Sequence, residues 1–184
     1  MKSTLNILYR GPLESCNYDC KYCPFAKKKN TREELAYDKK CLDKFVDWVG
    51  EQQQEIGILF TPWGEALIRK YYQEAIIELS QMEQVKKVVI QTNLSSSLKW
   101  LEKTNKAKTA LWTTFHPSEI SLEKFLEKCE EVIHRNVNFS VGIVGKLEHF
   151  DFAKQIRERL PNNIYVWVNA FRQSIKNNSS KNVI

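Results

Sequence analysis

Short apolar runs, mostly rich in β-branched residues, alternate with helical patterns along most of this chain. The runs lie at residues 4–9, 56–60, 85–91, 109–114, 137–144 and 164–168. Strands that alternate with helices form a parallel sheet, because each connection must cross back over the sheet before the next strand begins. The pattern therefore predicts six β/α units.

Stripes of apolar residues at helical spacing occupy the segments between the predicted strands. Three stripes are well developed: Leu42, Phe45, Val46 and Val49; Leu122, Phe125, Leu126, Cys129 and Ile133; and Phe152, Ile156 and Leu160. Another helix is predicted from Ala66, and a short one at residues 98–103. The first stripe places Cys41 at the opening of its helix.

The length of the chain decides between a closed and an open barrel. A closed eight-unit barrel needs about 250 residues, and this chain has 184. We therefore predict an α/β fold, an open partial (β/α)6 barrel of parallel strands over residues 1–170. Beyond Ala170 the sequence FRQSIKNNSSKNVI is polar and aperiodic, so residues 171–184 are expected to be a disordered tail.

Polar and glycine-containing segments follow each predicted strand. They are a cysteine-rich loop, then TPWGEA, TN, FHP, GKLE and NA. The carboxyl ends of parallel strands meet at one rim of the sheet, where ligands of such folds bind. This convergence predicts a single functional site at that rim.

Three of the five cysteines lie within CNYDCKYC, residues 16–23. This crowding is a poor disulfide framework and favours ligation of a soft metal centre in a reducing compartment. Zinc would need a fourth ligand from His116, Cys41 or Cys129, whereas a [4Fe–4S] cluster on three thiolates leaves one iron open. The residues favour the cluster and keep zinc as an alternative.

Charge and hydropathy argue against several classes of partner. The net charge of +6 is modest, and it comes without a recognisable nucleic-acid-binding module. No stretch approaches the ~18 apolar residues of a membrane span, and MKSTLNILYRGPLES contains no secretory h-region. We expect a cytoplasmic protein without membrane or nucleic-acid partners, and a zinc module that contacts nucleic acid is the alternative.

The cysteine motif resembles the cluster loop of radical S-adenosylmethionine (SAM) enzymes. The motif C-x3-C-x-aromatic-C is present as Cys16-NYD-Cys20-K-Tyr22-Cys23. More narrowly, RGPLESCNYDCKYCPFAK, FHPSE and SVGIVG are similar to stretches of an uncharacterised subgroup of that family. The resemblance covers about residues 5–170 and itself implies a partial (β/α)6 barrel.

The resemblance implies a function with two cofactors, a [4Fe–4S] cluster and SAM. In that family SAM chelates the open iron, and one electron cleaves SAM to a 5′-deoxyadenosyl radical that takes a hydrogen atom from the substrate. The resemblance assigns Cys16, Cys20 and Cys23 as cluster ligands and places Tyr22 near the adenine. A reductant protein such as flavodoxin or ferredoxin is implied. The substrate, a small molecule or a peptide, stays open.

TPWGEA is similar to the Gly-Gly-Glu-Pro motif of the family, which meets the SAM amino group. Gly64 and Glu65 match that motif, whereas Trp63 and Ala66 replace its first glycine and its proline. A strand-end glycine permits close approach, and a carboxylate accepts hydrogen bonds from an ammonium. The resemblance therefore implies that Gly64 and Glu65 bind SAM.

The later strand ends supply the other candidate residues. VGIVGKLE is similar to the family's G-x-I-x-G-x-x-E stretch, which implies that Ile143 packs on adenine and that Gly145 admits it. Asn93 and Thr114 are candidates to bind the SAM ribose or the substrate, or to cap the next helix. For His116, a substrate contact and a structural hydrogen bond both stay open.

The end of the chain adds a further alternative. Many members of the family continue beyond the sixth strand into a region that covers the barrel, and FRQSIKNNSSKNVI does not resemble such a region. The chain is expected to be a minimal enzyme, one part of a complex, or a truncated inactive copy that still binds the cofactors.

Overall fold

Six parallel strands form the scaffold of the protein, whose computed structural model describes residues 4–26 and 28–171. The strands are β1 (Thr4–Tyr9), β2 (Glu55–Phe60), β3 (Val85–Thr92), β4 (Thr109–Phe115), β5 (Asn138–Gly145) and β6 (Tyr165–Ala170). Their order in the sheet is their order in the chain, and all neighbours pair in parallel. The sheet curls into a half-barrel, which confirms the predicted open partial barrel.

Helices connect the strands on the outer face of the sheet. The four α-helices are α1 (Arg32–Gly50), α2 (Lys70–Gln81), α3 (Leu122–His134) and α4 (Phe150–Arg159). Residues Ala66–Ile68, Lys99–Lys103 and Leu147–His149 form 3-10 turns. The helix predicted from Ala66 therefore starts as a 3-10 turn and becomes α2 only at Lys70, and the predicted short helix at 98–103 is also a 3-10 turn.

The apolar stripe predicted that Cys41 lies at the start of its helix. This was wrong, because helix α1 begins at Arg32 and Cys41 lies in its middle. The N-cap is Thr31, whose hydroxyl accepts the Glu34 backbone N–H at 3.2 Å. The Glu34 carboxylate in turn accepts the Thr31 backbone N–H at 2.9 Å. This reciprocal capping box satisfies two backbone donors that the helix leaves free, and its T-x-x-E spacing was the overlooked signal of the helix start.

The hydrophobic core lies between the sheet and the helices. Phe115 on β4 packs against Phe125 of α3 and Phe152 of α4, with ring centroids 5.0 and 5.6 Å apart. Full burial of a side chain such as Phe115 or Phe125 stabilises the fold by roughly 1.5–3 kcal/mol. Alternate strand residues face this core, among them Ile58, Phe60, Val88, Ile90, Leu111, Val141 and Ile143.

The opposite face of the sheet is concave and more open. Leu8 on β1 is 60% exposed there, and the rings of Trp112 and Trp167 meet edge to face with centroids 5.3 Å apart. Thr114 shares this face, because it lies two residues beyond Trp112 on the same strand. The concave face leads towards the rim where the sequence predicts the functional site.

Two further sequence-based expectations concern the C-terminal tail and membrane-spanning helices. The predicted tail at 171–184 lies, apart from Phe171, outside the described residues. Within the described residues, no helix combines the length and apolar character that a membrane crossing requires.

Candidate functional site

The cysteine loop follows β1 and is held at the rim by the segment after β2. A Cβ placed on Gly64 would overlap the Ser15 backbone, with the Ser15 carbonyl carbon only 2.5 Å away. The Glu65 N–H donates to the Ser15 carbonyl oxygen at 3.1 Å, and the Arg69 guanidinium donates to the Ser15 hydroxyl at 3.1 Å. Ser15, the residue immediately before the first cysteine, therefore contacts residues 64–69 at three points.

The Glu65 carboxylate is buried at the carboxyl ends of β2 and β3. It accepts hydrogen bonds from the Leu67 N–H at 3.0 Å, the Thr92 hydroxyl at 2.9 Å and the Asn93 N–H at 2.6 Å. Burial raises the pKa of Glu65 to about 7, although these donors favour the carboxylate. All three donors are neutral, so a cationic ligand group would stabilise the carboxylate further.

We predict that Glu65→Gln alters how stability depends on pH. The folded-state pKa of about 7 lies above the ordinary value of 4.5, so the folded protein holds this proton more tightly than the unfolded chain. This contribution to stability is complete below the ordinary pKa and is lost as pH rises through about 7. The parent's free energy of unfolding, measured relative to Glu65→Gln, should therefore decrease between about pH 4.5 and 7.5 by about 2–3 kcal/mol. Urea titrations across this range test the prediction, and a pH-independent difference would contradict it.

Cys16 receives donors from its own loop and from the end of β3. The Tyr18 N–H donates to Cys16 Sγ at 3.4 Å. The Asn93 side-chain amide lies 3.7 Å from the same sulfur and donates to Asn17 Oδ1 at 3.1 Å. Burial raises the pKa of the Cys16 thiol. The structure therefore places Asn93, a predicted cofactor-binding residue, beside the first cysteine.

Cys20 is 5% exposed and lies against the end of β4. His116 Nδ1 is 3.4 Å from Cys20 Sγ and 2.9 Å from the Tyr22 hydroxyl oxygen. The nearby side chains of Tyr22 and Ser118 favour the thiolate, but burial outweighs them and raises the pKa of the Cys20 thiol to about 11. Burial lowers the pKa of His116 to about 4, so its ring is neutral at pH 7.

Tyr22 lies between the segments that follow β4 and β5. Its ring is nearly parallel to that of His116, with centroids 6.0 Å apart, and meets His149 edge-on at 5.6 Å. The Lys146 ammonium lies 5.6 Å from the centre of the Tyr22 ring. His149 Nδ1 donates to the Val144 carbonyl oxygen at 2.9 Å. The predicted contact between Tyr22 and adenine stays a prediction.

The three remaining predicted residues do not share one face of the sheet. Ile143 is 1% exposed and pairs with Phe115, so it faces the helices. Thr114 lies on the concave face. Gly145 ends β5 at the rim, where an added Cβ would lie 3.0 Å from the Asn169 carbonyl oxygen. Ile143 and Thr114 lie on neighbouring strands but on opposite faces of the sheet, and the predicted adenine contact of Ile143 gains no support from its position in the core.

No three His, Cys, Asp or Glu side chains of residues 4–26 and 28–171 are arranged to hold a single metal ion. A single ion requires ligands that converge on one point, whereas each thiolate of a cubane cluster binds its own iron. Of the three candidates for a fourth zinc ligand, only His116 contacts a cysteine of the loop. Cys129 is fully buried in the core and Cys41 lies within α1, while His116 contacts Cys20.

A buried carboxylate that the sequence analysis overlooked supports the start of the cysteine loop. Asp38 on α1 is inaccessible to solvent and accepts hydrogen bonds from the hydroxyls of Tyr71 at 2.8 Å and Tyr72 at 3.1 Å. Asp38 also lies against Gly11, where an added Cβ would be 2.8 Å from its Oδ1. Asp38 lies four residues before Leu42, on the apolar stripe of α1, and a carboxylate on such a stripe was the available signal.

Comparisons with known proteins concern both the family and the fold. A family model described as the radical SAM superfamily matches residues 12–148. The chain is similar to a solved structure of histidine-tagged anSMEcpe with bound AdoMet, with a TM-score of 0.62 and 13% identity. It is also similar to native anSMEcpe with bound AdoMet and Kp18Cys peptide, with a TM-score of 0.63 and 12% identity. No curated protein matches the chain.

These matches differ in how much of each protein they cover. Each includes 93% of this chain but only 51% and 52% of the respective anSMEcpe chains. The chain therefore spans about half the length of the solved structures that it matches. At this level of identity the likeness concerns the fold alone.

Proposed function

The chain belongs to the radical SAM superfamily, and we propose on this basis that it binds a [4Fe–4S] cluster and SAM. Cys16, Cys20 and Cys23 would hold the cluster. The observation that carries the proposal is that three thiols lie on one rim loop. Asn93, which follows β3, lies beside Cys16, and His116, which follows β4, lies beside Cys20. When bound, the cluster and SAM supply a 5′-deoxyadenosyl radical, which removes a hydrogen atom from the substrate.

The residues present fit such a cluster by their chemistry. Thiolates are the soft ligands that iron–sulfur clusters take, and three of them leave one iron open for SAM. Metal ligands are commonly supported by further hydrogen-bond donors that orient them. Asn93 beside Cys16 and His116 beside Cys20 provide that support.

We assign the SAM amino group to the rim at Gly64 and Glu65. The close approach of Gly64 to Ser15 keeps the cysteine loop next to the Glu65 carboxylate. That carboxylate is buried among neutral donors, and burial raises its pKa. An ammonium group would offset this burial, because an opposite charge favours the ionised carboxylate.

The rest of the SAM site is proposed from the other rim residues. We place the adenine and ribose near Tyr22, Asn93, Thr114 and Gly145 and near the backbone of Ile143, whose side chain lies in the core. We propose the cytoplasm as the reducing compartment and a protein such as flavodoxin or ferredoxin as the electron donor. The similar solved structures carry AdoMet, and one of them a peptide, which supports SAM as the ligand and leaves the substrate open between a small molecule and a peptide.

The test of the proposed function is spectroscopic. The protein is purified without oxygen, reconstituted with iron and sulfide and reduced with dithionite. Electron paramagnetic resonance spectra are then recorded with and without SAM. We expect a reduced-cluster signal that changes on addition of SAM and is lost in Cys20→Ala.

A matched cysteine variant separates cluster loss from general damage. Cys41→Ala removes a thiol that belongs to α1 and not to the rim loop, and should keep the SAM-responsive signal. Stoichiometric zinc binding without a cluster signal that responds to SAM would overturn the proposed function.

A further inference from the structure

Of the three loop cysteines, Cys20 is the buried one, and a side-chain nitrogen of His116 lies next to its sulfur. Its sulfur has His116 Nδ1 at 3.4 Å, within the range for a hydrogen bond to sulfur, and the nearby side chains of Tyr22 and Ser118 favour its thiolate form. Only 5% of Cys20 is exposed, so little water competes for the sulfur. Hydrogen bonds in such surroundings are stronger than in water.

The His116 ring is held in a fixed orientation at this sulfur. It stacks on the Tyr22 ring at an interplanar angle of 12° and meets the Tyr18 ring edge-on, with centroids 5.9 Å apart. A neutral imidazole carries hydrogen on one nitrogen only. A thiolate can only accept, so a metal-bound Cys20 selects the tautomer with the hydrogen on Nδ1. The Tyr22 oxygen, 2.9 Å from Nδ1, then shares this N–H as a second acceptor, and the Tyr22 hydroxyl hydrogen is left to donate to the same sulfur.

From this geometry we infer that His116 is a positioning residue that donates a hydrogen bond to the Cys20 thiolate and raises the reduction potential of the cluster. The inference rests on the proposed function. Reduction adds one electron, and therefore negative charge, to the cluster and its thiolates. Hydrogen-bond donors stabilise that added charge, which is why hydrogen bonds to the sulfurs tune cluster potentials.

The inference predicts a lower potential when the donor is removed. The reconstituted protein is titrated with dithionite in the absence of SAM, and the reduced fraction is read by electron paramagnetic resonance. At the potential that half-reduces the parent cluster, His116→Leu should show an about tenfold lower ratio of reduced to oxidised cluster, equivalent to a shift of about 59 mV for one electron. His116→Asn, which returns an N–H near the position of Nδ1, should recover most of that ratio.

Two further variants test whether the change in ratio comes from hydrogen bonding to Cys20. Tyr22→Phe keeps the ring that stacks on His116 and removes only the hydroxyl, so it should lower the ratio in the same direction with little risk to folding. His149→Asn also changes a buried histidine beside Tyr22, but its Nδ1 donates to the Val144 carbonyl oxygen and not to a cysteine. It should leave the ratio within about twofold of the parent.

The outcomes separate this inference from the proposed function. If the parent assembles no cluster, the proposed function fails and the inference fails with it. If the parent assembles a cluster but His116→Leu and Tyr22→Phe keep its ratio within twofold, the inference is overturned and the proposed function stands. If His116→Leu loses its iron, Tyr22→Phe is the deciding variant. A lower ratio of reduced to oxidised cluster in it supports the inference, and a ratio within twofold of the parent overturns it.

Discussion

Gly64→Ala is expected to destabilise the protein by about 3 kcal/mol or more and to reduce its capacity for the cluster. The new Cβ would overlap the Ser15 backbone, and a backbone segment cannot rotate away as the end of a flexible side chain can. The cysteine loop would have to move outward, which would break the hydrogen bond from the Glu65 N–H to the Ser15 carbonyl oxygen. Urea unfolding measures the stability, and the iron content after reconstitution measures the capacity.

A second glycine provides the matched control for this prediction. A Cβ on Gly50, the last residue of α1, would meet only the Met82 methyl carbon, at an ordinary 3.9 Å. Gly50→Ala should therefore stabilise the protein by about 0.5 kcal/mol, because alanine has less backbone freedom to lose on folding. Equal stabilities for the two variants would refute the proposed backbone contact at Gly64.

Asp38→Ala should also destabilise the fold, by about 3 kcal/mol, because buried donors left without an acceptor cost about 1–3 kcal/mol each before the structure relaxes. The variant removes the acceptor of the Tyr71 and Tyr72 hydroxyls. For a chain of this length, that loss corresponds to a decrease in melting temperature of roughly 6–12 °C. Thermal unfolding followed by circular dichroism measures it.

The control for Asp38 is another aspartate of the same helix. Asp43 pairs with Lys39 on the surface, where both side chains are more than half exposed. Asp43→Ala should cost less than about 1 kcal/mol, since exposed ion pairs contribute little. If Asp38→Ala were as mild as Asp43→Ala, the buried hydrogen bonds would not support the fold as we describe.

The strands were predictable from the sequence because apolar runs at the strand period are a local property. The predicted strand at 4–9 coincides with β1, and the predicted strand at 137–144 differs by one residue at each end from β5. Helix type was less predictable. Three or four apolar residues at helical spacing fit a 3-10 helix as well as an α-helix, so the short helix predicted at 98–103 could not be assigned to either type, and it is a 3-10 helix at Lys99–Lys103.

The candidate site was predictable in its location but not in its contacts. Motifs after successive parallel strands must share a rim, so the cysteine loop and TPWGEA could be placed together. The side-chain partners depend on distances between segments far apart in the chain. Asn93 was a candidate to bind the ribose or the substrate, or to cap the next helix, and its contacts with Asn17 and Cys16 could not be foreseen from the sequence. The contact between His116 and Cys20 could not be predicted from the sequence, because it depends on how close the end of β4 lies to the cysteine loop.

The sequential strand order has a consequence for folding during synthesis on the ribosome. Each new strand can dock at the free edge of the sheet already formed, and none has to insert between two paired strands. The contacts of the cysteine loop appear in the same order, with Gly64 after β2, Asn93 after β3 and His116 after β4. In the nascent chain, Cys20 is therefore open to oxidants until the fourth strand has docked.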